Sequence, residues 1–140
     1  MLLFLLYPVH GYGSPHDIAY DNNDRCSNAA QREFERKWEG GLPSQKENPW
    51  DTTYRTHYNL DLNKCFMLVK TMPPKASSDS TVVHSFVLID VYEGVELGFY
   101  GERPGQFVDP SRAVFPCEVN QIKCASKEEF ERQISIYMDK

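Results

Sequence analysis

Four cysteines, Cys26, Cys65, Cys117 and Cys124, constrain this chain of 140 residues more than any other feature. An even number of cysteines in a small chain is typical of proteins that fold in an oxidising compartment and carry disulfides. Structural zinc sites commonly contain short Cys-x2–4-Cys pairs, and the four cysteines form no such pair. We therefore predict two disulfides and no metal site.

Of the three possible connectivities, we predict a local Cys117–Cys124 bridge before the last helix and a long Cys26–Cys65 bridge between the first helix and the sheet. Chain-entropy estimates give about 2.5 kcal/mol of stability for the short loop and about 4 kcal/mol for the long one. Leu, Ile, Val and Phe make up only 33 of the 140 residues. This fraction lies just above the ~20% below which chains tend to stay disordered. Such a small core needs the support of the disulfides.

The first 13 residues are predicted to be part of a signal peptide. We call this segment a remnant because the basic segment that usually opens a signal peptide is missing. Met1–Tyr7 is apolar, and Gly11 and Gly13 occupy positions −3 and −1 of a possible cleavage site before Ser14. The alternative is an N-terminal strand or helix that joins the core. No stretch approaches the ~18 apolar residues of a membrane span. We expect export to the periplasm or the extracellular space, with residues 14–25 as a flexible arm and 26–140 as one domain.

Two helices are predicted at the ends of this domain. The first begins near Cys26, because apolar residues then recur every four positions, at Cys26, Ala30, Phe34 and Trp38. The second follows Ser126-Lys-Glu-Glu129, a capping box in which the side chains of Ser126 and Glu129 each accept a hydrogen bond from the other's free backbone N–H. Its apolar stripe consists of Phe130, Ile134, Tyr137 and Met138.

Three strands are predicted between the helices, over residues 64–71, 81–91 and 96–100. Short connections indicate an antiparallel meander. The second strand is apolar at both odd and even positions, so we expect it to be covered on both faces. Residues 50–58 fit a strand or a short helix equally well. The predicted fold class is α+β, in the order helix, three-stranded antiparallel meander, C-terminal helix, with two disulfides and both helices on one face of the sheet.

The segment from Thr56 to Met67, Thr-His-Tyr-Asn-x-x-Leu-Asn-Lys-Cys-Phe-Met, resembles a motif of small exported bacterial proteins of uncharacterised function. The shared pattern also includes a cysteine that opens a helix with a later Phe and Trp, here Cys26, Phe34 and Trp38. It extends to an Asp90-Val-Tyr-Glu93-Gly94 turn and to Cys124 and Ser126 before a Glu-Phe helix, so that it covers about residues 26–138. This resemblance implies export and one compact unit. It implies no activity.

A catalytic hypothesis rests on His57, His84 and Lys64, because two histidines and a lysine can supply the base, acid and oxyanion partner for phosphodiester hydrolysis. The competing interpretation is structural: Asn59 closes a turn through its side chain, and His57 binds backbone where the Cys65 strand begins. The net charge of −5 argues against a nucleic-acid interface.

A binding hypothesis rests on aromatic residues spaced by four, Trp50, Tyr54 and Tyr58, which could contact a peptide or a glycan. Such a stripe more commonly packs into a core. Motifs for cofactor or phosphate binding are absent from the sequence, and we expect no cofactor. The predicted function is a monomeric, non-enzymatic exported module that binds a protein or an envelope component. The alternative is a small secreted, nuclease-like hydrolase that uses His57 and His84.

Overall fold

The computed structural model describes residues 15–39, 51–72, 84–102 and 116–140. The α+β class is confirmed, with helices before and after an antiparallel sheet. The elements are α1 (Pro15–Phe34) with a π-helical turn (Glu35–Glu39), β1 (Asp51–Asn59), β2 (Lys64–Met72), β3 (His84–Asp90), β4 (Val95–Glu102), β5 (Glu118–Val119), β6 (Ile122–Lys123) and α2 (Lys127–Met138). The predicted signal segment, residues 1–13, lies outside the described residues.

Within the described residues the sheet has six strands in the order β1-β2-β3-β4-β5-β6, and each neighbouring pair is antiparallel. The predicted meander corresponds to β2, β3 and β4, so the prediction of three strands is wrong in number. One added strand is β1, whose sequence left helix and strand equally open. It pairs with β2 without interruption, from Asp51 opposite Met72 to Asn59 opposite Lys64.

The other added strands, β5 and β6, form a short hairpin that the sequence pattern did not indicate. Its turn consists of Asn120 and Gln121, which both have positive φ angles, 48° and 66°. Two-residue turns with positive φ at both positions match the twist of a hairpin. Because Gly98 has no side chain, β4 can approach β5 closely. A Cβ at this position would lie 3.1 Å from Cγ2 of Val119, which is too close for an ordinary contact.

The two helices lie on opposite faces of the sheet, which corrects the expectation that they share one face. Helix α1 and its turn pack on the odd-numbered residues of β2 and β3, in a core of Cys26, Ala30, Phe34, Tyr58, Cys65, Met67, Val69, Ile89 and Val91. Helix α2 packs on the even-numbered residues, in a core of Phe66, Leu88, Tyr100, Cys117, Val119, Phe130, Ile134 and Met138. Strand β3 is thus covered on both faces, as predicted.

Helix α1 begins at Pro15, eleven residues before the predicted start at Cys26. The residues assigned to an arm, 14–25, are therefore helical from Pro15 onward. Proline suits the first turn of a helix because its missing N–H has no partner there. Farther along, Arg25 and Asp21 form an i,i+4 ion pair at 3.0 Å. The stripe from Cys26 to Trp38 faces the sheet as predicted, and the π-helical turn stacks Trp38 on Phe34 at 5.5 Å.

The predicted disulfide connectivity is confirmed. Cys26 of α1 is bonded to Cys65 of β2, and Cys117 is bonded to Cys124 across the base of the β5–β6 hairpin. Both cysteines of the first pair are buried in the α1 core. The bonds are consistent with an oxidising, exported location.

Candidate functional site

The β1–β2 turn is held by Asn59, a fully buried residue at the end of β1. Its side-chain oxygen accepts a hydrogen bond from the backbone N–H of Leu62 at 3.0 Å, which is the turn-closing role predicted for it. Its amide nitrogen donates to the carbonyl of Ile136 at 2.9 Å. Asn59 therefore joins the turn to the end of α2, and its polar atoms are used in the fold.

Lys64, the first residue of β2, forms ion pairs with two carboxylates at the turn between β3 and β4. Its ammonium lies 2.6 Å from the buried carboxylate of Asp90 and 2.7 Å from that of Glu93. Asp90 also accepts a hydrogen bond from the backbone N–H of Glu93 at 3.2 Å. The hydrogen bonds that Lys64 donates to Asp90 and, second, to Glu93 raise the pKa of Lys64 above its usual value. Lys64 keeps its proton and joins the two turns, so its geometry does not suit a general base.

The two histidines of the catalytic hypothesis lie at opposite ends of the sheet. In the strand pairing, His57 of β1 lies beside Phe66 of β2, and Phe66 lies beside Asp90 at one end of β3. His84 lies at the other end of β3, six residues from Asp90. Six residues of strand span about 20 Å. His57 Nε2 lies 2.5 Å from the carbonyl oxygen of Lys140, so His57 does contact backbone, but at Lys140 and not at the start of the Cys65 strand as predicted. His84 Nδ1 lies 3.6 Å from a carboxylate oxygen of Glu102. The structure does not bring His57, His84 and Lys64 together.

The predicted aromatic stripe divides in the structure. Trp50 lies outside the described residues. Tyr58 is buried in the α1 core and donates a hydrogen bond to the side chain of Asn63. Tyr54 packs on Phe34 with ring centroids 4.4 Å apart, yet 37% of its surface stays exposed. Of the described pair, Tyr54 is the residue that can contact a partner, and it lies on the edge strand β1.

The two edges of the sheet differ in their protection. At one edge, β6 is two residues long and ends in Lys123. Short edge strands and lysines are devices that prevent pairing with another chain. At the other edge, β1 has nine residues, no proline, no lysine and no bulge against β2. Within the described ranges β1 pairs only with β2. About half of its backbone N–H and C=O groups therefore point away from β2.

A groove of about 310 Å³ adjoins β1 on the α2 face. We call it the α2 groove. It lies between α2 and strands β1, β2 and β3, and its apolar lining comes from Leu68, Phe86, Phe130 and Ile134. Phe130 and Ile134 are buried, whereas Leu68 and Phe86 are half-buried. The half-buried pair leaves apolar surface accessible from the groove.

Charged side chains of both signs surround this apolar lining. Arg55, Lys127, Glu131 and Asp139 line the α2 groove. Arg55 lies 3.8 Å from Asp139, and Lys127 lies over the Phe86 ring, 5.1 Å from its centroid. Lys70 approaches the same ring to 5.9 Å. The groove was not predicted from the sequence. One available indication was Lys127, because a cation in the first turn of a helix opposes the helix dipole.

Neither helix of the described part combines the length and the apolar character that a membrane crossing requires. In the same part of the chain, no three side chains of His, Cys, Asp or Glu are grouped so that they could hold a metal ion. No family model matches this chain, and no match is found among curated proteins or solved structures.

Proposed function

We propose that this protein is an exported, non-enzymatic binding domain that accepts an extended peptide segment of a protein or an envelope component along the open side of β1. The observation that supports the proposal is the contrast between the two-residue edge strand β6 and the nine-residue edge strand β1. An extended peptide that adds to a sheet edge gains affinity from main-chain hydrogen bonds and specificity from alternate side chains.

The side chains of β1 indicate the partner's chemistry. Thr52, Tyr54 and Thr56 share the face of α1, so β-branched or aromatic partner residues fit beside them. Thr53 and Arg55 share the other face. The side chain of Arg55 is 56% exposed, and its nearest described carboxylate, that of Asp139, is 3.8 Å away. We expect the preferred peptide to place an acidic residue beside Arg55 and a β-branched or aromatic residue beside Tyr54.

Proline substitutions in β1 test this proposal. Decapeptides are selected from a random display library on the intact protein, and their affinities are measured for wild type, Thr52→Pro and Thr53→Pro. Neighbouring residues of a strand point their N–H groups to opposite sides, so one of the two prolines removes an outward donor and leaves the β1–β2 hydrogen bonds intact. That variant should keep the wild-type melting temperature and lose about tenfold or more in peptide affinity.

Thr53→Val is the matched control, since it changes a side chain and keeps every backbone donor. We expect it to bind the selected peptides within about twofold of wild type, because an exposed Thr contributes little on its own. Full affinity in the proline variant that keeps its melting temperature would refute binding along β1. So would failure of the selection to yield any peptide.

A further inference from the structure

Strand β1 has the composition of a segment that pairs readily with a copy of itself. Between Asp51 and His57 it contains three threonines and one tyrosine, residue types that favour strands. Its single aspartate and single arginine cancel, so this segment has no net formal charge, although the whole chain carries −5. Exposed strands with high β propensity, low net charge and no proline are prone to self-association. Local charge along β1 therefore does not keep a second copy of this acidic chain away.

The two charges of β1 are placed so that they complement a second, antiparallel copy of the strand. Asp51 and Arg55 lie two residues to either side of Thr53 and on the same face of the sheet. When two copies of β1 pair about a two-fold axis at Thr53, each Asp51 lies directly opposite Arg55 of the second copy. Opposite charges at directly opposed positions stabilise a pair of strands. One such pairing therefore forms two ion pairs.

Both charged side chains are accessible for these contacts. Asp51 is exposed, and it takes part in none of the ion pairs among the described residues. The side chain of Arg55 is 56% exposed, and its 3.8 Å distance from Asp139 is too long for a hydrogen bond. Other registers fit less well. An axis at Arg55 brings two arginines opposite each other, and an axis at Tyr54 places Arg55 opposite Thr53.

We propose that two copies of this chain pair along β1 in an antiparallel, two-fold symmetric dimer, with residues 51–55 of the copies paired about Thr53. This inference rests on the proposed role of β1 as an open edge and names the occupant of that edge when no peptide is bound. It replaces the monomer expected from the sequence. Assembly stops at two copies because β6, at the far edge, has two residues and ends in Lys123.

The dimer is expected to be weak, because five paired residues from each copy form a small interface. We expect dimers at about 1 mM protein and monomers below about 10 µM, the range in which peptide affinities are measured. Sedimentation equilibrium of the intact protein across this range gives the dissociation constant. A selected decapeptide pairs with the same edge, so its addition should shift the equilibrium toward the monomer.

Exchange of the two charges tests the register. Asp51→Arg places two pairs of arginines across the axis, and Arg55→Asp places two pairs of aspartates there. Each variant alone should therefore dimerise at least about tenfold more weakly than wild type. Both side chains are exposed, so the melting temperatures should stay close to that of wild type. An equimolar mixture restores both opposite-charge pairs, and native mass spectrometry should show a heterodimer of about wild-type affinity.

Lys123→Asp is the matched control, because it changes the net charge as much as Arg55→Asp does and lies on β6 at the far edge. It should dimerise like wild type. Wild type that stays monomeric up to about 1 mM, or charge variants that dimerise as well alone as mixed, would overturn the proposal. A monomeric wild type that binds selected peptides would leave the proposed function standing. A dimer with the expected response to the charge variants and no peptide binding would contradict the proposed function alone.

Discussion

Removal of the Cys26–Cys65 disulfide is expected to lower the free energy of unfolding by about 4 kcal/mol. The bridge closes a loop with a sequence separation of 39 residues and ties α1 to β2. A cross-link stabilises mainly by limiting the conformations of the unfolded chain, and the effect increases with loop length. The Cys26→Ala/Cys65→Ala variant, unfolded in urea beside wild type, measures this loss.

The Cys117→Ala/Cys124→Ala variant is the matched comparison. Its bridge has a sequence separation of 7 residues, so we expect a smaller loss of about 2.5 kcal/mol. Because this bridge closes the β5–β6 hairpin, the α1 face of the sheet should stay folded when it is absent. A Cys26–Cys65 variant that loses less stability than the Cys117–Cys124 variant would contradict this ranking.

Truncation of either core phenylalanine is the second large effect, about 3–5 kcal/mol for Phe34→Ala or Phe130→Ala. Phe34 is 7% exposed and packs between Trp38 and Tyr54 on the α1 face. Phe130 is 1% exposed and packs on Tyr100 and Phe86 on the α2 face. Each change leaves a cavity that its neighbours fill only in part. Urea unfolding of the single variants gives both values.

A double-mutant cycle with the milder changes Phe34→Leu and Phe130→Leu tests the placement of the helices on opposite faces. The two rings belong to separate cores. Distant changes without shared partners add to within about 0.5 kcal/mol. We therefore expect an interaction energy below about 0.5 kcal/mol. A value above about 1 kcal/mol would indicate that the helices share one face, as the sequence alone suggested.

The parts of the fold that followed from the sequence are those with a strong local pattern. The cap of α2 is one of them: Ser126 accepts from the N–H of Glu129 at 3.2 Å, as predicted, whereas Glu129 accepts from the N–H of Ala125, one residue before the predicted partner, at 2.7 Å. The apolar strands from Lys64 onward are another. Both predicted disulfides also form. One joins Cys117 and Cys124, which are close in the sequence, and the other joins Cys26 of the predicted first helix to Cys65 of a predicted strand.

The parts that the sequence left open depend on tertiary contacts. The first half of α1 has no apolar stripe, and the Asn120–Gln121 turn contains no glycine, so neither has a marked local pattern. The expectation that both helices share one face is wrong for a different reason. In β2, Cys65, Met67 and Val69 face α1 while Phe66 and Leu68 face α2. A strand that is apolar on both faces needs a cover on each.

The candidate site was open for a similar reason. Sequence spacing brings His57 near Lys64 and gives no information on which end of the sheet holds His84. The α2 groove forms where α2 crosses three strands, so Arg55, Phe86 and Lys127 meet although they are far apart in the chain. The edge position of β1 likewise depends on the order of strands in the sheet. Of the two described residues of the predicted aromatic stripe, Tyr54 lies on the proposed binding surface, whereas Tyr58 is buried in the α1 core.

Amide hydrogen exchange of β1, with and without a selected decapeptide, tests the proposed binding mode most directly. Outward-pointing amides of an edge strand are open to solvent until another strand pairs with them. With saturating peptide, we expect alternate amides between Thr52 and Thr56 to exchange at least about tenfold more slowly, because each gains a hydrogen bond. The amides of Ile122 and Lys123 at the other edge should not change. Protection at β6 with unchanged exchange in β1 would contradict peptide binding along β1.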